Sequence, residues 1–270
     1  MTAGFIERPD CRLYYEVAGA GPVIVFAHGL GGNHLSWWQQ VPHFADRYTC
    51  VTFSHRGFAP SSAPAGGPEP DAYPGDLAAL IDHVGAKDVA IVAQSMGGWS
   101  ALEFAFAQPA RVRALVLAST GGTLAWPALP LPDAHALPRW RDASEAKIRD
   151  LFGRGLHPAA GERMAREQPA LHYLYRAIDA LSADLDKTVL RQRLGAALRR
   201  PIETLRTLNV PTLWLTGEED VVYPPFVSDA LAPLMPNARV ECVRQAGHSV
   251  YFERPAEFNR VVDAFLAANP

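Results

Sequence analysis

The sequence predicts an α/β protein built on a mostly parallel sheet wrapped by helices. Short apolar runs rich in β-branched residues recur along the chain, and helix-like stretches separate the central ones. One of the runs, Val89-Ala-Ile-Val-Ala93, carries no charge, as a strand buried on both faces would. Alternation of this kind gives parallel strands joined by helical crossovers. Ligands in such sheets bind beyond the carboxyl ends of the strands.

Composition narrows the function classes. With 270 residues, 49% hydrophobic and 20% charged, the chain is long enough for one large domain or a core with an insertion, and it is too apolar for disorder. The formal charge of −3 gives no long-range attraction to nucleic acid or to an anionic membrane, and no basic patch is interleaved with aromatics. The expected partner is a small molecule, and the expected assembly a monomer or homodimer. The first residues, MTAGFIERPDCRLYYEVAG, hold charges at Glu7, Arg8, Asp10 and Arg12 and no apolar stretch of signal-peptide length. No later segment approaches a membrane span. Cys11, Cys50 and Cys242 are odd in number and far apart, so neither a disulfide framework nor a zinc site is expected, and a reducing cytoplasm is the expected compartment.

The predicted strands are Arg12–Val17, Val23–Ala27, Tyr48–Phe53, Val89–Ala93, Val112–Ala118, Thr212–Thr216 and Arg239–Val243. The predicted helices of the sheet layer are Leu35–Ala45, Asp71–Val84, Trp99–Ala107, Pro224–Leu234 and Pro255–Ala267. One interval breaks this rhythm. From Gly121 to Asn209 the chain runs far longer than the ~12–15 residues at which a structureless connection becomes uncommon, so it must fold on its own. It opens with TLAWPALPLPDAHALP and continues in helical patterns from Asp142 to Leu208. A core in two parts, 1–120 and 210–270, with a helical lid at 121–209, is the predicted organisation. The only low-complexity stretch is the short Pro/Gly/Ala/Ser loop from Ala59 to Pro70.

Ser95 stands where the uncharged strand turns into a helix, in Ala93-Gln-Ser-Met-Gly97. A serine at such a junction is either a helix cap or a nucleophile on a sharp turn. A nucleophilic serine needs a base, an acid to orient the base, and donors for an oxyanion. The chain has a candidate for each. Ala93 and Gly97 are small where the turn brings the chain close to itself. Val23–Ala27 runs into His28-Gly-Leu-Gly-Gly32, a turn whose N–H groups can face developing charge, with Leu30 and Met96 as the predicted donors. His248 follows the last strand-like run, and Glu218, Glu219 and Asp220 follow the one before it.

Together these motifs resemble the α/β-hydrolase superfamily, of the lid-bearing serine type, over nearly the whole chain. The order Ser95, Asp220, His248 is that superfamily's nucleophile-acid-base order. The resemblance implies Asp220 as the acid, because Gly217-x-x-Asp220-x-x-x-Pro224 is similar to the family's acid loop; spacing alone leaves Glu218 and Glu219 open. The H-G-x-G turn resembles its oxyanion loop. Two departures stand out: Ala93 replaces the usual first glycine of the elbow, and Ser54-His-Arg-Gly-Phe-Ala-Pro-Ser61 keeps Arg56, Gly57 and Ser61 but lacks the Asp and one Gly of D-x-R-G-x-G-x-S.

The resemblance implies a hydrolase needing no cofactor and no metal. The expected activity is cleavage of carboxylic esters or lactones of small, partly apolar substrates. Hydrolytic cleavage of a carbon–carbon bond in a diketone and a non-enzymatic ligand receptor are the alternatives. Trp99, Trp126, Trp140 and Tyr223, with Leu124, Leu129 and Phe152, are the expected apolar pocket. His28 is expected to support its turn, and the remaining histidines to be surface or packing residues. Arg139, Arg141, Arg149, Arg154, Arg163, Arg166 and Arg176 are expected to form a solvated face of the lid, where one turned inward would meet a substrate carboxylate.

Overall fold

A computed structural model describes residues 1–270. Its sheet has eight strands: β1 (Thr2–Glu7), β2 (Arg12–Ala18), β3 (Val23–Ala27), β4 (Thr49–Phe53), β5 (Val89–Gln94), β6 (Val112–Ala118), β7 (Thr212–Gly217) and β8 (Ala238–Val243). They lie in the order β1-β2-β4-β3-β5-β6-β7-β8. The β1/β2 and β2/β4 pairs are antiparallel, and every other pair is parallel. β1 was not predicted. Its sequence buries only Ile6 and pairs with β2 at the sheet edge, so it lacks a core-facing pattern.

Strand side chains alternate between the faces, and the core divides accordingly. Val25, Ala27, Ile91, Ala93, Leu115 and Leu117 pack on one face. Ile24, Phe26, Ala90, Val92, Ala114 and Val116 pack on the other. Every residue of β5 is buried, which is why that strand tolerates no charge. Each fully buried aliphatic side chain contributes about 1.5–3 kcal/mol.

The helices are α1 (Val41–Phe44), α2 (Tyr73–His83), α3 (Gly97–Ala107), α4 (Ala136–Gly153), α5 (Glu162–Glu167), α6 (Pro169–Ala180), α7 (Lys187–Ala196), α8 (Pro225–Leu231), α9 (Val250–Glu253) and α10 (Pro255–Ala267). The helix expected over Leu35–Ala45 is two pieces. A 3₁₀ turn at His34–Trp37, capped by the Asn33 side chain, precedes α1. Pro42 explains the break, because its ring clashes with the carbonyl four residues back and it donates no hydrogen bond. Likewise, the chain after His248 enters the short α9 before α10 begins.

Helices α4 to α7 all belong to the interval between β6 and β7. The two ends of this insertion meet in a parallel bridge of Leu124 with Arg200. Ala125 N–H donates to Arg200 O at 2.8 Å, and Arg200 N–H to Thr123 O at 3.0 Å. The Arg200 guanidinium also donates from Nε to Glu103 of α3 at 2.6 Å. No helix is long and apolar enough to cross a membrane.

Candidate active site

Ser95 follows the last residue of β5 with φ at +49°, in the left-handed region that non-glycine residues rarely occupy. Its N–H donates to Ala118 O at the end of β6 (2.9 Å), and its carbonyl accepts from Gly98 N–H (2.9 Å). The turn therefore reverses within one residue and presents the side chain above the sheet. Close approach makes this possible: a Cβ on Gly97 would stand 2.2 Å from Ala27 O. Across the turn, a Cβ on Gly29 would stand 2.1 Å from Gln94 Oε1. Glycine at both positions lets the loop after β3 lie directly against the elbow.

That loop is braced by histidine. His28 is fully buried, its Nδ1 donates to Gly29 O at 2.7 Å, and its Nε2 accepts from His55 N–H at 2.9 Å. Burial pushes the His28 pKa down to about 3, so the ring is neutral and can fill both roles. Because the peptide unit is planar and trans, fixing Gly29 C=O aims Leu30 N–H the opposite way. Neither Leu30 N–H nor Met96 N–H meets an acceptor within the protein. Two unpaired amides thus flank Ser95.

His248 and Asp220 meet at the ends of β8 and β7. His248 Nδ1 lies 2.9 Å from Asp220 Oδ2 and 3.1 Å from Oδ1, with both residues buried. Asp220 Oδ1 also accepts from Val222 N–H (2.7 Å) and Tyr223 N–H (2.9 Å), which fixes the carboxylate in the turn. Its two neighbours are engaged elsewhere. Glu218 accepts from Gln245 N–H at 3.2 Å, and Glu219 pairs with Arg163 of α5.

Ser95, His248, Leu30 and Met96 all line one cavity of about 310 Å³ beneath the insertion. Trp99, Leu194 and Leu198 form an apolar end, and Ile148 and Phe152 of α4 add to its walls. The cavity differs from the pocket expected from the sequence, although Trp99 and Phe152 do line it. Trp126, Trp140 and Tyr223 lie outside the lining, as do Leu124 and Leu129. Trp126 packs on Gly121 and edge-on to the buried Tyr223, at 5.5 Å between ring centroids. Leu124 and Leu129 are core residues. Trp140 stands eight residues before Ile148 on α4, about 12 Å along the helix axis. All seven lid arginines named from the sequence also lie outside the lining; Arg139, Arg149, Arg154, Arg163 and Arg166 pair with surface carboxylates.

Two features escaped sequence reasoning. Glu253 is 2% exposed and accepts from Gly247 N–H at 2.8 Å and from Ser249 N–H at 3.1 Å, the residues on either side of His248. Its only signal was a carboxylate five residues after the candidate base. The second is a polar wall of the cavity made by His157, Tyr175, Asp179, Lys187 and Arg191. Its signal was the i, i+4 spacing of Lys187 and Arg191.

The fold and this arrangement define an α/β-hydrolase, and the sequence pattern of the alpha/beta hydrolase fold matches residues 22–255, so the chain belongs to that family. Among curated relatives, it is 26% identical over 281 residues to 3-oxoadipate enol-lactonase 2 of Acinetobacter baylyi, covering 97% of this chain and 95% of that one. Among solved structures, it resembles Est816, described as an N-acyl homoserine lactone degrading enzyme (TM-score 0.79, 27% identity, 97% and 100% of the two chains). The bromoperoxidase of Bacillus anthracis shares the fold at TM-score 0.77 and 23% identity, over 98% and 100% of the chains.

Proposed function

We propose that the protein hydrolyses carboxylic esters or lactones of small, partly apolar substrates through an acyl-enzyme on Ser95. His248 accepts the Ser95 proton as Oγ bonds to the carbonyl carbon, and Asp220 orients the ring and stabilises the imidazolium. The oxyanion is received by Leu30 and Met96 N–H, each lowering the barrier by about 3–4 kcal/mol. Collapse of the intermediate breaks the bond to the leaving oxygen, which takes the proton from His248. Water activated by the same histidine then releases the acid.

The observation that carries this reading is the strained Ser95 backbone, with two unpaired N–H groups and a carboxylate-bound histidine around one cavity. The likeness to lactone-cleaving relatives supports it. The test is a turnover screen of p-nitrophenyl esters, lactones and vinylogous diketones with wild type and Ser95→Ala, alongside a fluorophosphonate label. Ester or lactone turnover lost in Ser95→Ala, with one adduct at Ser95, is the expected result. Labelling at another serine would overturn the assignment, and preferential cleavage of the diketone would move the activity to carbon–carbon hydrolysis.

A further inference from the structure

Helix α7 lays one face along the cavity. Lys187, Arg191, Leu194 and Gly195 recur at helical spacing and line it, and Leu198, just past the helix end at Ala196, adds to the same wall. That face changes character along its length. Its later residues are apolar and meet Trp99, whose indole Nε1 donates to Leu194 O at 3.3 Å. Its first turns are cationic, and they are held firmly: Asp186 caps the helix through Thr188 and Val189 N–H, both at 3.0 Å.

The two cations differ in how they are used. Lys187 is occupied, its Nζ 2.5 Å from Asp179 Oδ1 and 2.9 Å from Asp179 O. Arg191 is exposed at the cavity rim and makes no hydrogen bond or ion pair with the protein, so the five donors of its guanidinium face solvent and cavity. The other ionisable groups of this wall add no charge near neutral pH: burial pushes the His157 pKa down to about 4, a shift that Asp179 opposes and Lys187 and Arg191 reinforce, and burial raises the Tyr175 pKa well above its ordinary value. Two positive side chains therefore face one negative side chain across this end of the cavity.

We propose that Arg191 is the anion-binding group of the substrate site, and that the preferred substrate carries a carboxylate at the end of its acyl part remote from the scissile bond. The inference rests on the ester or lactone reading of the same cavity. A monoanion matches the single excess positive charge, and a planar carboxylate fits the guanidinium fork with two parallel hydrogen bonds. A phosphate dianion would leave surplus negative charge beside Asp179.

The test compares p-nitrophenyl hydrogen adipate with p-nitrophenyl 6-methylheptanoate, which replaces the carboxylate by an uncharged isopropyl group of similar size. Wild type is expected to favour the adipate in kcat/KM by about tenfold or more, the worth of one charge-assisted pair. Arg191→Gln removes that preference, Arg191→Lys keeps part of it, and Arg139→Gln, on the outer surface, leaves it unchanged. Thermal midpoints of all variants check that the fold is intact. A wild-type ratio at or below one, or a ratio unchanged in Arg191→Gln, overturns the proposal. If wild type hydrolyses neither ester, the esterase reading fails, and calorimetric titration with adipate decides the subsite by itself. Binding that Arg191→Gln weakens about tenfold upholds it, and absence of binding to wild type overturns it.

Discussion

Glu253 and His248 are joined through the main chain, because the Glu253 carboxyl receives the N–H groups of Gly247 and Ser249 at 2.8 and 3.1 Å. The loop carrying the histidine is thereby fixed on both sides of the ring. Burial pushes the Glu253 pKa up to about 8; the two amides and Arg254 oppose that shift, and Asp220 adds to it. From the ordinary value of 4.5 up to about 8, the folded protein keeps a proton that the unfolded chain has released. Glu253 therefore contributes stability below that window and loses it as pH rises through it. His28 works in the opposite sense below its ordinary 6.5. The urea midpoint of wild type is expected to fall more steeply than that of Glu253→Gln between about pH 5 and about pH 8. Parallel slopes would show that Glu253 does not titrate in this range.

Asp220→Asn is expected to reduce kcat by about 10⁴-fold, as loss of the orienting carboxylate does in serine triads. Glu219→Gln breaks only the pair with Arg163 at the surface, so its effect on kcat stays within about threefold. Steady-state kinetics on a single ester separates the two, and a large loss at Glu219 would transfer the acid role to it.

Aromatic residues on either side of the cavity boundary should behave differently. Trp99→Ala enlarges the apolar end and is expected to shift acyl-chain preference toward longer or bulkier esters. Trp126→Ala removes packing against Gly121 and Tyr223, and is expected to cost on the order of 2–4 kcal/mol of stability with preference unchanged. A panel of acyl chain lengths measured with urea denaturation distinguishes these outcomes; altered preference in Trp126→Ala would place that residue in the site.

Gly97→Ala tests the elbow itself. The added methyl would stand 2.2 Å from Ala27 O, so the strand β3 or the turn must move. We expect a loss of about 1–3 kcal/mol in stability together with a fall in kcat, read by denaturation and by ester turnover. Unchanged values in both would mean that the close packing there is dispensable.

The sheet and the elbow were legible because β5 is buried on both faces and its sequence says so by excluding charge up to Ser95. The interval from Gly121 to Asn209 stands out in the sequence because about ninety residues of helical pattern far exceed an ordinary connection. Its inner wall does not. Which face of α7 meets the cavity depends on how α4 to α7 dock on the core, and periodicity on a helix records burial without saying against what. Arg191 is exposed like most of the other lid arginines, and only its position on the cavity wall sets it apart. The tryptophans misled for a related reason: aromatic bulk predicts burial equally in a pocket or in a core, and Gly121 provides Trp126 with room in the core. Glu253 was silent because its partners are backbone amides, which every residue type carries.

The bridge between Leu124 and Arg200 bears on how such a protein can diversify. Because the two ends of the insertion are already hydrogen-bonded neighbours, the segment between them is a side loop hung from a closed neck. A replacement of different length would start and finish at the same two positions, and the closure entropy would change only with the logarithm of its length. The strands that carry Ser95, Asp220 and His248 would keep their register through such an exchange, whereas Lys187 and Arg191 would leave with the exchanged part. On the proposed reading, the polar wall of the substrate site would be rewritten with the insertion, while the proposed triad and Trp99 of α3 stay with the core.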